Sequence, residues 1–235
     1  MRALPVSLFL LAATAAAASA QVGHPPDRSP YHDILPGHTI LPFVGFIGGS
    51  GGPLGVGPHH GMIYGGRYDV RSSQTMELGL SVAHGTMDRL IVNPFVKLAN
   101  RTTGPVDQKV TFADLTIQLN LTGGKTWNGL APFVGLSGGM AFAKDTPADT
   151  SGYRFGSKFY VAPSIGTRLF LTSHLLLRAE VRGAFWKLTY PNTYAAEPVE
   201  EPGTEDSNAV RPDGDLSDWN LTPWLQVGVG YLIRW

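Results

Sequence analysis

Apolar and polar residues alternate along much of this chain, and the alternation is sharpest in its last segment. From Pro223 the odd positions read Pro223, Leu225, Val227, Val229, Tyr231, Ile233 and Trp235. The even positions read Trp224, Gln226, Gly228, Gly230, Leu232 and Arg234. Successive side chains of a strand point to opposite faces, so this segment has one apolar face and one that is mostly small or polar. Eight segments carry such a pattern, near residues 39–49, 61–71, 75–85, 109–122, 130–143, 155–171, 174–189 and 222–235. Each is about ten residues or longer, whereas soluble strands usually run to about five or six. Tilted strands of that length suit a bilayer. Beyond the N-terminal run, no window sustains the 3.6-residue period of an amphipathic helix.

The links between segments differ in length in a regular order. Short ones fall at 72–74, 123–129 and 172–173, and longer ones near 50–60, 86–108, 144–154 and 190–221. Alternating short turns and long loops is the habit of an up-and-down membrane barrel, and it requires an even number of strands. The fold expected is therefore all-β, a closed antiparallel up-and-down transmembrane β-barrel of about eight strands. Residues 90–99 are apolar enough to form a further strand; in that case an even count needs a tenth. The stretch 41–49 parallels 131–139, and 162–166 echoes its start, which reads as a shared strand constraint: Pro at strand starts, Gly where a narrow barrel bends.

Alternation also assigns faces. Leu115, Ile117, Leu119 and Leu121 share one face opposite Asp114, Thr116, Gln118 and Asn120. Leu175, Leu177, Val181 and Phe185 likewise oppose Arg178, Glu180 and Arg182. In a soluble barrel the apolar face would turn to a core, and in a membrane barrel it would turn to lipid. An eight-stranded barrel has room for side chains and little else. Arg67, Asp69, Glu77, Asp114, Arg168, Arg178, Glu180 and Arg182 are accordingly expected to form a mutually neutralising lumen network, since buried charges persist only when paired. Trp127, Trp186, Trp219, Trp224, Tyr231 and Trp235 lie near strand ends, as interfacial girdles would. The parity of Trp186 and Trp224, however, points inward.

The N-terminus adds a compartment. Arg2, the apolar and small residues 4–18, and the small-x-small sequence Ala18-Ser19-Ala20 have the form of a secretory signal. The expected organisation is a signal peptide at 1–20, a periplasmic leader at 21–37 and a barrel at 38–235 with a long external loop near 190–221. The sequence has no cysteine, which argues against a lipidated N-terminus and a disulfide scaffold. Its 18 basic and 18 acidic residues balance, so no nucleic-acid partner is expected.

Signal, alternation and the closing row Val227, Val229, Tyr231, Ile233 and Trp235 together resemble the small outer-membrane barrels of the OmpA/OmpX-like type. In that group the row with its final aromatic is an assembly signal. The resemblance implies export to the cell outer membrane. The expected partners are outer-membrane lipid and lipopolysaccharide, the barrel-assembly machinery and periplasmic chaperones, with the chain a monomer. No cofactor and no peptidoglycan-binding domain are expected, and the resemblance carries no ligand or reaction.

Candidate chemistry is sparse. Ser81 and His84 differ in parity, and Ser173-His174 sits in a turn, so neither forms a nucleophile–base–orienter set. His59-His60 lacks a second ligand pair, and Gly48 to Gly52 lacks the Lys of a phosphate loop. The stretch 191–218 is rich in acids and reads as a solvated loop. The functional expectation is a non-enzymatic outer-membrane barrel serving envelope integrity or surface interaction. The alternatives are a narrow, porin-like passive channel and a lipid-modifying enzyme.

Overall fold

A computed structural model describes residues 29–234, except 148, 200 and 205. The expected signal segment 1–20, residues 21–28 of the expected leader and Trp235 lie outside the described residues. Ten strands follow in chain order: β1 (Tyr31–Asp33), β2 (His38–Ile47), β3 (His59–Arg71), β4 (Met76–Val92), β5 (Thr102–Asn120), β6 (Lys125–Trp127), β7 (Leu130–Ala143), β8 (Ser157–Phe170), β9 (Leu175–Thr189) and β10 (Ser217–Ile233). Eight of them close a ring, β2-β3-β4-β5-β7-β8-β9-β10, each antiparallel to its neighbours, with β10 returning to β2. Full closure leaves the ring without an edge strand.

The two short strands lie outside the ring. β1 pairs β6, so part of the expected leader folds beneath the barrel at the end where β2 begins and β10 finishes. There Ile34 is buried, its N–H bonds the Gly124 carbonyl at 2.8 Å, and the Arg71 guanidinium donates to the Ile34 carbonyl.

The expected loop 86–108 is mostly strand. Residues 90–92 finish β4, and 98–100 form a short 3₁₀ turn, so no extra ring strand arises from 90–99. The inward series Ala83, Met87, Arg89 and Ile91 continues the alternation past residue 85, and the opposing Gln108 and Val110 do the same. The last strand likewise begins at Ser217 rather than 222, which shortens the long loop to 190–216. His59 and His60, expected in a loop, begin β3.

The outward face is apolar across every ring strand. Ile117 is 54 % exposed, while its neighbour Gln118 is wholly buried. Along β5 and the residue that follows it, this apolar row runs from Ala113 to Leu121, roughly 20 Å along the barrel axis at ordinary strand rise and tilt, close to the ~25 Å apolar band of membrane barrels. Trp219 and Tyr231 are exposed on that face, at its margins, and Trp127 is exposed on β6, outside the ring. Trp186 and Trp224 are not part of any girdle: both are buried inside the barrel, as their parity requires.

The ring's tight curvature depends on glycines with no room for a side chain. A Cβ at Gly139 on β7 would lie 2.4 Å from the Ala113 carbonyl oxygen of β5, whereas one at outward Gly138 would meet nothing nearer than 3.9 Å. Gly139→Val is therefore expected to prevent closure at the β5–β7 seam, and Gly138→Ala to leave it intact. An unboiled gel sample of the Gly139 variant should lose the compact folded band that wild type and the Gly138 variant retain.

Candidate functional site

Among the described residues, the strands bring charges together in number in the interior of the ring. All eight residues expected in a lumen network are buried there: Arg67, Asp69, Glu77, Asp114, Arg168, Arg178, Glu180 and Arg182. Nearest the termini, the Arg168 Nη1 donates to both Glu77 oxygens at 2.6 and 2.7 Å, and its Nη2 to Asn120 Oδ1 at 2.7 Å. Asn120 Nδ2 in turn donates to Glu77 at 3.2 Å.

One layer further, Glu180 accepts from Arg178 Nη2 at 2.9 Å, Arg182 Nε at 3.0 Å and Gln226 Nε2 at 2.7 Å. Arg178 also donates to Gln118 at 2.7 Å, and Arg67 donates to Asp69 at 2.7 Å. Arg182 and the Tyr160 hydroxyl both donate to Asp114 Oδ2, at 3.2 and 2.7 Å. The guanidiniums of Arg67, Arg168, Arg178 and Arg182 thus face the carboxylates of Asp69, Glu77, Asp114 and Glu180, and the set is neutral. Three rings add cation–π contacts: Phe133 lies 4.1 Å from Arg178, Trp224 5.1 Å from Arg182 and Phe170 5.5 Å from Arg168. Polar partners outside the expected eight, Gln118, Asn120, Tyr160 and Gln226, were legible only as members of the same parity rows.

Above this belt the interior changes character. Phe112 packs on Trp224 at 5.1 Å and stacks on Trp186 at 6.3 Å, and Phe155 meets Trp186 edge-on at 5.8 Å. Ile47, Ile63, Met87 and Val110 complete an apolar plug. The lumen is thus a polar belt below and an apolar plug above.

The long loops close the mouth over the plug. Val56, Tyr153, Tyr190 and Tyr194 are buried with it, and Tyr190 and Tyr194 stack at 5.8 Å. The Tyr194 hydroxyl donates to the Val92 carbonyl at 2.7 Å, and burial pushes its pKa up to about 12. Arg89, inward at the top of β4, donates to Asp149 at 2.5 Å and so ties the loop 144–156 to the barrel. Burial alone would raise the Asp149 carboxyl, but hydrogen bonds from Ser151 and Arg89 hold it below its ordinary value.

Neither serine–histidine pair is arranged for nucleophilic catalysis. Ser81 faces the lumen, while His84 faces outward and bonds Thr111 at 2.9 Å. Ser173 and His174 meet at 2.9 Å in an exposed turn, and no carboxylate bonds His174 among the described residues. His59 Nδ1 pairs with the Gly57 carbonyl at 2.9 Å, and the described residues hold no group of three metal-ligating side chains.

The fold has known counterparts. It superposes on the outer membrane protein OprG of Pseudomonas aeruginosa with a TM-score of 0.52, over 88 % of this chain and 100 % of that one, at 15 % identity. Neisserial surface protein A matches with a TM-score of 0.50, over 83 % of this chain and 97 % of that one, at 10 % identity. No family model and no curated protein sequence matches the chain. At such identities the likeness is one of fold: a small transmembrane β-barrel of the outer-membrane type.

Two outcomes follow from these contacts. Glu180→Gln leaves Arg178 and Arg182 without their shared countercharge, a change expected to cost about 3–5 kcal/mol in urea unfolding of the micelle-bound barrel. Asp107→Asn, at an exposed carboxylate away from the lumen, should leave the midpoint unchanged. Asp149 has a depressed pKa, so the Arg89 tie is complete above the ordinary value of 3.8 and is lost as pH falls through the lower folded value. Anisotropy of a fluorophore attached through Thr150→Cys should stay constant from neutral pH to about 4 and fall only in stronger acid. Adding Asp149→Asn should produce the low value at neutral pH.

Proposed function

We propose that this chain is a non-enzymatic, non-conducting β-barrel of the bacterial outer membrane, contributing to envelope integrity and presenting its closed loop end to the outside. The observation that carries this reading is the filled lumen. Glu77 and Arg168 occupy the terminal end, Arg178, Glu180 and Arg182 the middle, and Trp186, Phe112 and Trp224 the upper half, with loop tyrosines above them. A solute would have to break a neutral ion-pair network and an aromatic plug in turn.

Membrane residence is supported by the apolar outward face, the fold of its structural counterparts and the form of residues 1–20. On this reading Ile117 and Val181 meet lipid, while Gln118 and Arg182 stay in the packed interior. The outward row Val227, Val229, Tyr231 and Ile233, leading to Trp235, supports recognition by barrel-assembly machinery. The placement of Ser81, His84, Ser173 and His174 supports the absence of a hydrolytic function. Lipid and lipopolysaccharide are then the barrel's surroundings rather than its substrates.

The refolded protein in a planar lipid bilayer tests the reading. Wild type is expected to insert without discrete current steps at moderate voltage. Reproducible single-channel steps from the intact chain would overturn the closed-barrel reading in favour of the narrow channel.

A further inference from the structure

A recess of about 560 Å³ opens on the outward face of β8, β9, β10 and β2, and the closed-barrel reading gives it no role. Pro42, Val44, Thr167, Ala179, Val227 and Val229 are among its lining residues. Its volume falls within the ~300–1,000 Å³ typical of small-molecule sites. The floor is low because Ala179 stands between the larger Leu177 and Val181 in the outward row of β9, beside half-buried Thr167. Val44, Ala179, Val227 and Val229 are all exposed, so the recess is open from outside the barrel.

The strand register gives the recess a direction and a length. Thr167 opposes Ala179, Ala179 opposes Val227 and Val227 opposes Val44, so a groove runs across four strands. Three interstrand spacings make it about 14 Å long. One leaflet's hydrocarbon, half of the bilayer's ~30 Å, is about 15 Å thick. Among the lining side chains only the Thr167 hydroxyl is polar and outward, since Arg178 turns into the lumen.

Beneath the groove lies a cation. Leu169 and Leu177, also on the lining, flank the turn between β8 and β9, at the end of the barrel where β2 begins and β10 finishes. Past Val229, exposed Tyr231 stacks on His174 of that turn at 5.9 Å, an aromatic pair at the height of lipid headgroups. Arg234 follows and is exposed. Its Nη2 donates to the Ser173 carbonyl at 2.7 Å, and no carboxylate pairs with it among the described residues. An apolar groove one leaflet long, an interfacial aromatic and a cation without a countercharge follow the order of parts in a phospholipid.

We infer that this groove retains one acyl chain of a phospholipid of the periplasmic leaflet, with the lipid phosphodiester held by Arg234. The inference rests on the membrane reading of the outward face and adds a bound lipid to it. A thin, flexible chain can enter the groove, whereas the convex wall of a second barrel cannot.

Native mass spectrometry of the full chain tests the inference, after refolding into vesicles of phosphatidylethanolamine and phosphatidylglycerol and extraction in neutral maltoside. The expected species is a monomer carrying one phospholipid through repeated maltoside washes. Ala179→Phe fills the groove and should lower lipid retention about tenfold. Gly138→Phe, at an outward position of β7 with open space around it, should leave retention unchanged. Arg234→Gln should lower it about fivefold. All three variants should keep the folded band of an unboiled gel sample, which separates loss of lipid from loss of fold. A heat-modifiable wild type that carries no lipid would overturn the inference alone. A chain soluble without detergent and not heat-modifiable would overturn it together with the membrane reading. Equal retention by wild type and either the Ala179 or the Arg234 variant would also overturn it, as would an equal loss at Gly138. A lipid-free dimer that Ala179→Phe converts to monomers would overturn it in favour of a second copy as the occupant.

Discussion

Glu180 is the point on which the interior converges. One carboxylate takes hydrogen bonds from Arg178, Arg182 and Gln226, and through those arginines it reaches Gln118 on β5 and Asp114 beyond. A ring of eight strands is too narrow to admit water as a general solvent for these charges. Each must therefore be answered by another side chain, across strands that are far apart in the chain. Register and neutrality are thus linked: slipping any strand by one residue would turn its charge outward and an apolar residue inward.

The outer and inner faces obey different constraints. Outward positions need only be apolar, which is why Leu115, Ile117, Val181 and Leu225 are interchangeable in kind. Inward positions need particular partners at particular heights. The change from polar belt to aromatic plug occurs where β5, β8, β9 and β10 bring Phe112, Tyr160, Trp186 and Trp224 to one level, with Tyr160 facing both ways. Its ring packs against Phe112 at 6.0 Å while its hydroxyl bonds Asp114 at 2.7 Å.

Much of this was legible in the sequence because a period of two is a local property. Each of the eight ring strands can be read from its own alternation, and each lumen charge from its own parity. What was illegible depends on contacts between distant segments. The tie of Arg89 to Asp149 spans 60 positions and involves a loop with no periodicity. The extension of β4 and β5 above residue 85 was obscured because Leu90 to Val92 reads as a separate apolar run. Trp186 and Trp224 show two local signals in conflict: nearness to a strand end pointed to a girdle, and parity pointed to the lumen. Parity prevailed, since reversing one side chain would require a bulge.

The closed mouth also divides the loops into two kinds of sequence. Tyr153, Phe155, Tyr190 and Tyr194 lie in segments that would ordinarily be regarded as surface connections, yet they pack into the same core as Phe112 and Trp186. Their positions are held to the same volume and shape demands as a strand interior. The exposed tip around Val199, by contrast, makes its bonds mainly within itself, with Glu197 accepting from Gly203 and Asn208. Foreign epitopes or natural insertions would therefore be carried at that tip, whereas an insertion near Tyr153 or Tyr194 would unseat the core itself.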